Sequence, residues 1–589
     1  MPLFSKVLVA NRGEIAVRVF RTLRELGIGC VAVYSDADRG RLHTRLADES
    51  YRIGPGPAAE SYLRGDVIVE TALKAGAEAI HPGYGFLSEN GDFARLVEDA
   101  GLVWIGPPSS AIALMGSKTE ARTAMRNAGV PIIPGTTDSV ASAEEVVAVA
   151  KEVGYPVIIK AKAGGGGKGM ELVTTPDEAV RAFETATRQG LKFFADAAVY
   201  VEKFIQNPRH VEVQVIADGH GNVVHLGERD CTIQRRHQKL VEETPSPAVD
   251  AELRARIGEI AVDAARAAGY RSAGTVEGLL TADGSYYFME MNTRIQVEHT
   301  VTEMVTGLDL VREQICVAAG EPLSVRQEDV QLRGHAIECR INAEDVSAGF
   351  LPAPGVVTSY EEPSGPGVRV DSGIRAGDEI SGLYDPMIAK LIVHDVDREH
   401  ARRRMLRALE EFKIGGPPTL VGFHRALLES DCFKAGETCH GVVESEGLAA
   451  RAAELLVVAP EPADAATGIL PTRPRIVGLE IDGREVEVRL HVTEPPWGEL
   501  ARRRRGRAGE HGRAGSGSVV SPMQGTVLKV DVTEEATVTE GQVICVVEAM
   551  KMENEVIAPR DGIVTGLAIA QGDAVASGQL ICVVVPEAD

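Results

Sequence analysis

The sequence predicts an α/β protein of several domains that closes with a small all-β domain, and three observations carry that prediction. At 589 residues the chain is too long for one hydrophobic core, because single cores rarely grow past ~250–300 residues. Its N-terminal segment alternates strand and helix signals. From position 518 onward, valine-rich runs alternate with turn signals such as Glu540-Gly541, Asp561-Gly562 and Gln571-Gly572-Asp573, the pattern of short strands.

Taken in order, Val7-Leu8-Val9-Ala10 reads as a strand. Ile15, Val19, Leu23 and Leu26 then keep helical spacing until Gly27 stops the helix, and Val31 to Tyr34 is a second strand. Strand, helix, strand implies a parallel sheet in a doubly wound domain, predicted over 1–117. This N-terminal segment carries no Gly-x-Gly-x-x-Gly, so dinucleotide binding by it is not indicated. Residues 118–330 hold the densest set of polar motifs. Residues 331–448 form a further α/β segment closed by a charged helix from Glu399 to Phe412.

Residues 449–517 read as a linker with a β-hairpin over 474–491, turning at Asp482-Gly483. The piece from about 492 to 518 would average on the order of 30 Å end to end if flexible. Fully extended it would reach roughly 90 Å, a span that suits a carrier visiting two separated sites. Residues 518–587 form the terminal β-domain.

Composition is that of an ordinary globular protein, 44% hydrophobic and 25% charged. No apolar run is long enough to predict a membrane span, and Met1 to Ala10 does not read as a signal peptide. Eight scattered cysteines without a Cys-x-x-Cys pair suggest neither a zinc site nor a disulfide framework; a reducing cytoplasm fits. A net charge of −23 argues against nucleic acid as a partner. The basic run Arg502 to Arg505 with Arg507 is the exception, and reads as a solvated, self-repelling linker.

Several clusters point to phosphoryl transfer. The strand Val157-Ile158-Ile159-Lys160 leads into Gly164-Gly165-Gly166-Gly167-Lys168-Gly169. Glycines let a backbone close over a polyphosphate and present N–H groups to it, although a glycine run is equally compatible with a plain flexible loop. Glu277, Glu290 and Asn292 sit within or at the end of apolar strands, where a carboxylate is costly unless paired or metal-bound. Oxygen ligands from two strands suit Mg²⁺; a buried salt bridge to Arg294 is the other reading. Arg294 and Glu298 then place a cation and a base beside these ligands. Gln234-Arg235-Arg236-His237-Gln238-Lys239 concentrates cations in an acidic protein, as a solvated face or an anion cradle. Near the C-terminus, Glu548-Ala549-Met550-Lys551-Met552 puts a lysine on a turn between two strands, a rigid base for a covalently attached arm.

The last motif resembles the biotinyl domain of biotin-dependent carboxylases, in which Ala-Met-Lys-Met carries biotin on its lysine; Pro522-Met523 and Gly525 are also similar. Lipoyl domains share the scaffold but lack the paired methionines. From about Leu3 to Gly447 the chain closely resembles the biotin carboxylase component of acyl-CoA carboxylases, an ATP-grasp enzyme. The motifs are Ala10 to Ala16, His81-Pro82-Gly83-Tyr84-Gly85-Phe86-Leu87-Ser88-Glu89-Asn90, Arg229-Asp230-Cys231 leading to Gln234–Lys239, and Glu290 to His299.

This resemblance implies that Lys118 and Lys160 contact the ATP phosphates, with Gly165, Gly166 and Gly167 closing over them. Glu202, Lys203 and Phe204 would line the adenine pocket, with His210, Gln234 and His237 near the nucleotide. Glu277, Glu290 and Asn292 would hold Mg²⁺ (or Mn²⁺). Bicarbonate would rest against Lys239 and Arg294, Glu298 would deprotonate it, and Arg340 would stabilise the biotin enolate. Biotin on Lys551 implies a biotin protein ligase as partner. No segment resembles a carboxyltransferase. A separate carboxyltransferase β subunit that carboxylates a short-chain acyl-CoA, acetyl- or propionyl-CoA, is therefore expected, with this chain forming a homo-oligomer within a hetero-oligomeric holoenzyme. The sequence departs from the family at Gly278, where a bulky apolar residue is usual; a glycine there is expected to loosen the strand beside Glu277.

Overall fold

A computed structural model of the chain describes residues 3–162, 169–194, 196–455, 472–481, 484–493, 517–549, 552–576 and 578–586. The N-terminal domain is built on five parallel strands, β1 (Lys6–Val9), β2 (Gly29–Ser35), β3 (Glu49–Gly54), β4 (Ala79–His81) and β5 (Val103–Trp104), ordered β3-β2-β1-β4-β5. Alternation along β1 sends Val7 and Val9 to one side, against Ile15, Val19 and Leu23 of the helix Gly13–Glu25. Leu8 faces the other side, with Ile68, Phe93 and Trp104. Burial on both faces is what a doubly wound parallel sheet requires, and it bears out the expected fold class of this N-terminal segment.

The next strands are β6 (Val157–Ala161), β7 (Met170–Val173) and β8 (Val199–Lys203), a three-stranded sheet in the order β7-β6-β8. After it come β9 (Arg209–Ala217), β10 (Val223–Arg235), β11 (Gln238–Thr244), β12 (Ser272–Leu280), β13 (Tyr286–Asn292), β14 (His335–Asn342), β15 (Val368–Ser372) and β16 (Met387–Asp395). These eight form one antiparallel sheet, β13-β12-β9-β10-β11-β14-β16-β15. The sheet runs through the sequence boundary near 330 without a break. That continuity puts Arg340 of β14 beside residues of β11 and of the 290s.

Two further findings differ from expectation. Cys432 and Cys439 form a disulfide, their Cα atoms 5.5 Å apart. The chain reverses after the short helix Asp431–Lys434, where Glu437 N–H donates to the Cys432 carbonyl at 2.9 Å; a turn of this kind leaves no Cys-x-x-Cys spacing to read. The other finding concerns Gly278, which does not loosen its strand. It stays paired to Phe288 and Val211 across both neighbours, and the Tyr286 ring occupies the space where a side chain would stand. The glycine is there to admit the ring, with a bulge between Glu277 and Gly278 taking up the register.

The C-terminal domain packs two four-stranded sheets face to face around Val519, Val527, Ile544, Val547, Val564, Ile581 and Val584. Strands Val543–Ala549 and Met552–Ile557 pair down to Ala549↔Met552, flanking positions 550 and 551. Lys551, the glycines Gly164–Gly167, the turn at 482–483 and the arginine run at 502–507 lie outside the described residues. The hairpin predicted at 474–491 is present as Thr472–Ile481 paired antiparallel with Arg484–Thr493.

Candidate active site

The basic cluster at 234–239 is the turn of the β10–β11 hairpin. Arg236 and His237 both adopt positive φ, 47° and 65°, the two-residue geometry that matches strand twist. The turn separates the cations. Arg235 lies over the Phe350 ring at 4.3 Å and donates to the Gly349 carbonyl. Gln234 Nε2 sits 3.0 Å from His210 Nδ1. Of this cluster it is Lys239 that enters the polar centre.

There, the Lys239 ammonium donates to Glu212 Oε2 at 2.6 Å, Glu277 Oε1 at 3.0 Å and Glu298 Oε1 at 2.6 Å. Glu212 and Glu298 are fully buried, a costly placement that only paired charge sustains. Arg229, also fully buried, closes the other side of Glu212 at 2.6 Å and is itself held by Gln214, Thr275 and Thr302. Burial alone would raise the Glu298 carboxyl, but Lys239, Arg340 and Arg229 together hold it well below the ordinary carboxylate range. Burial would correspondingly lower Lys239, and its three carboxylates raise it well above the usual lysine range.

Glu277 and Glu290 are direct cross-strand partners on β12 and β13, and Asn292 lies two residues along the same face. Their three oxygen-bearing side chains therefore converge, which suits a hard divalent cation. Glu277 Oε1 already accepts from Lys239, Asn292 Nδ2 (2.9 Å) and Gln296 Nε2 (2.8 Å), and Oε2 faces His210 Nε2 at 2.9 Å. Burial opposes its charge, yet Lys239 and His210 hold Glu277 far below the ordinary range. Glu290 opens to the cleft. The donor set fits Mg²⁺: two carboxylates and an amide oxygen on one β-hairpin. His210 and Glu212 lie close enough to Glu277 to join it.

Arg294 does not pair with Glu277 or Glu290, which removes the salt-bridge alternative. Its Nε donates to Glu89 Oε2 at 2.9 Å, while Nη2 reaches Asn292 Oδ1 and Nη1 reaches Gln296 Oε1, both at 3.0 Å. Glu89 ends the His81–Asn90 motif and also accepts from Thr293 N–H. The start of that motif is tied to the N-terminal one, for Asn11 Nδ2 donates to the Pro82 and Tyr84 carbonyls at 2.7 Å. Arg340 completes the centre, Nε to Glu242 Oε1 at 2.6 Å and Nη2 to Glu298 Oε2 at 2.9 Å.

The predicted nucleotide residues flank this centre on the three-stranded sheet. Lys160 Nζ pairs with Glu202 Oε2 at 2.6 Å, and buried Glu202 also accepts from Arg122. Lys203 Nζ is engaged by the Gly154 and Tyr155 carbonyls at 2.8 and 2.9 Å, and Phe204 N–H donates to the Pro156 carbonyl. Lys118 opens the helix Lys118–Asn127. Glu89, Glu212, Arg229, Glu242 and Gln296 were missed as site residues. Glu89, Arg229 and Gln296 do fall within the motifs read from the sequence; Glu212 and Glu242 are buried carboxylates in otherwise apolar strands, the same signal that marked Glu277.

A large antiparallel sheet faced by a small three-stranded one, with oxygen ligands and cations between them, defines an ATP-grasp ligase. Comparison with known proteins narrows this. Residues 3–112 match the family described as biotin carboxylase, N-terminal domain; 117–326 match carbamoyl-phosphate synthase L chain, ATP binding domain; 338–445 match biotin carboxylase C-terminal domain; and 517–584 match biotin-requiring enzyme. The biotin-dependent acyl-coenzyme A carboxylase alpha3 subunit of Mycobacterium leprae is 47% identical over 566 residues, 94% of each chain. Among solved structures, the biotin carboxylase domain of Hydrogenobacter thermophilus 2-oxoglutarate carboxylase, in complex with MgADP, ADP and bicarbonate, superposes with a TM-score of 0.71 at 48% identity, covering 75% of this chain and 99% of that one. The pyruvate carboxylase of Rhizobium etli superposes with the same TM-score of 0.71 at 41% identity, over 76% of this chain and 41% of that longer one. The chain belongs to the biotin-dependent carboxylases, as an ATP-dependent biotin carboxylase joined to its own biotinyl carrier domain.

Proposed function

We propose that the chain is the α subunit of an acyl-CoA carboxylase, loading biotin on its own Lys551 from bicarbonate and ATP and serving a separate carboxyltransferase subunit that carboxylates acetyl- or propionyl-CoA. The observation that carries the reading is the convergence of Lys239 and Arg340 on the buried carboxylate Glu298, with Arg294 beside it. Bicarbonate exchanges into this set, meeting the ammonium of Lys239 and the guanidinium of Arg294. Glu298, held ionised, takes the bicarbonate hydroxyl proton on a carboxylate oxygen as the substrate attacks the γ-phosphate, the bond to the β-phosphate breaks and ADP leaves. A carboxylate of low intrinsic basicity serves here because the neighbouring cations favour the charge that develops on the substrate oxygens as much as they favour Glu298 itself.

Lys118, Lys160 and the Gly164–Gly167 segment bind the phosphates; Glu202, Lys203, Phe204, His210, Gln234 and His237 surround the nucleotide. Mg²⁺, held by Glu277, Glu290 and Asn292, neutralises phosphate charge when bound, and biotin, once attached by a biotin protein ligase, supplies the acceptor nitrogen. Arg340 orients the acceptor and offsets negative charge on its oxygen. The enzyme is read as cytoplasmic and homo-oligomeric within its holoenzyme, with neither nucleic acid nor membrane as a partner; no helix among the described residues is long and apolar enough to cross a membrane.

The test is a chase. Chain loaded with labelled bicarbonate is mixed with its carboxyltransferase subunit plus acetyl-CoA, propionyl-CoA or pyruvate. Label passes to acyl-CoA and not to pyruvate, and stays on the chain without the second subunit; transfer to pyruvate would sink the acyl-CoA assignment. The 474–491 hairpin is the proposed docking element. Its deletion is expected to abolish co-purification with that subunit while leaving ATP hydrolysis intact, and undiminished co-purification rules it out.

A further inference from the structure

On β11, β14 and β16 the two faces of the sheet differ. Val241, Ile337, Cys339, Ile341, Leu391 and Val393 fill the apolar core on one side. The opposite face carries Glu242, Glu338, Arg340 and Lys390, where Glu242 pairs in register with Glu338 and Arg340 with Lys390. Directly opposed side chains on neighbouring strands have Cβ atoms about 5 Å apart. Both glutamates are fully shielded from solvent. Each uses a single oxygen: Glu242 Oε1 accepts from Arg340 Nε, and Glu338 Oε2 accepts from the Thr300 hydroxyl of the helix His299–Thr306. Glu242 Oε2 and Glu338 Oε1 are buried with no hydrogen-bond partner.

Two opposed buried carboxylates cannot both ionise at little cost, and unfilled oxygens on both sides are what a shared proton satisfies. We propose that Glu242 and Glu338 hold one proton between them and, by shifting it, keep a single anion against Arg340 as Glu298 gains and loses its own proton. The inference rests on the reading of Glu298 as base and Arg340 as the group facing the acceptor. While Glu298 is ionised it satisfies Arg340, which leaves Glu242 free to carry the shared proton on Oε2. When Glu298 takes a proton from bicarbonate, Arg340 loses that counter-charge. The shared proton then passes from Glu242 Oε2 to Glu338 Oε1, and ionised Glu242 holds the guanidinium in place. The pair are positioning residues, acting through Arg340.

The surroundings hold both carboxyls above the ordinary range, Glu338 the higher of the two. Burial raises Glu242 to about 7, opposed by Arg340 and Lys239 and reinforced by Glu298. Burial raises Glu338 to about 8, opposed by Lys390, the Thr300 hydroxyl and Arg340 and reinforced by Glu242. Both carboxyls are thus held above the ordinary range, and the proton they share is lost on the alkaline side, which over-neutralises Arg340.

The test uses the full biotinylated chain and its Glu338→Gln and Glu242→Gln variants. Infrared spectra are recorded across pH, and single-turnover label transfer to the chain's own biotin is timed. The expected result is a protonated-carboxyl C=O band in wild type that both variants lose, distinct from that of Glu344, which burial also raises to about 7, and an alkaline fall in wild-type transfer rate that Glu338→Gln flattens. No single band lost from both variants, two different bands lost, or an unchanged pH profile would overturn the proposal. Should one variant fail to fold, the other carries the same infrared readout. Arg340→Ala separates the failures: normal transfer in that variant contradicts the role given to Arg340, whereas the infrared result stands by itself.

Discussion

Glu298→Gln is expected to lower the rate of biotin carboxylation by roughly 10²–10⁴-fold, the range typical of a lost general base, while nucleotide binding is retained. The substitution keeps an acceptor oxygen for Lys239 at Oε1 but turns an amide N–H toward Arg340 Nη2, so retained nucleotide binding is the control that the fold holds. What it removes is the ability to take a proton at the point where Lys239 and Arg340 meet. ATP turnover that depends on bicarbonate should fall together with label transfer, because the proton must leave bicarbonate before or during its attack on phosphate. Steady-state assays of the two activities check this. A variant that loses transfer but keeps full bicarbonate-dependent ATP turnover would place Glu298 on the biotin side instead.

Lys239→Met is expected to lose activity and stability together. It strands Glu212, Glu277 and Glu298 around an apolar side chain, and breaking a buried ionic cluster by removing one partner costs about 3–5 kcal/mol. The pH dependence should also change sign. In wild type the depressed carboxyls of Glu277 and Glu298 contribute stability above the ordinary glutamate range, and that stability is lost progressively as pH falls from that range through their lowered folded values. Lys239, raised by its partners, contributes below the ordinary lysine range and fails only far into alkali. Without Lys239 the same carboxyls are raised by burial, so the variant should gain stability as pH falls from neutral toward 5, about where ordinary carboxylates begin to protonate. Thermal melts across that interval decide it; a variant with the wild-type melting profile would mean that the cluster is not held by Lys239.

Much of this was legible in the chain because the signals were local. The strand at Val7–Ala10, the helix spacing of Ile15 to Leu26 and the strand before the glycine run each sit within one window of sequence, and each appears where expected within a residue or two. Glu277, Glu290 and Asn292 could be singled out because a carboxylate in an apolar strand announces a partner. Which partner it has was not legible. Glu277 meets Lys239 and His210, Arg294 meets Glu89, and Arg340 meets Glu242 and Glu298, all set by sheet order and not by spacing. The same holds for Cys432 with Cys439 and for Tyr286 over Gly278, where a turn and a bulge decide the contact.

The most direct test of the central claim is transfer of labelled bicarbonate onto the purified biotinylated chain, with ATP and Mg²⁺, in wild type and Lys551→Ala. Avidin-sensitive label is expected on wild type and none on Lys551→Ala, with nucleotide binding equal in the two. Biotin found elsewhere than Lys551, or a biotinylated wild-type chain that takes up no label, would contradict it.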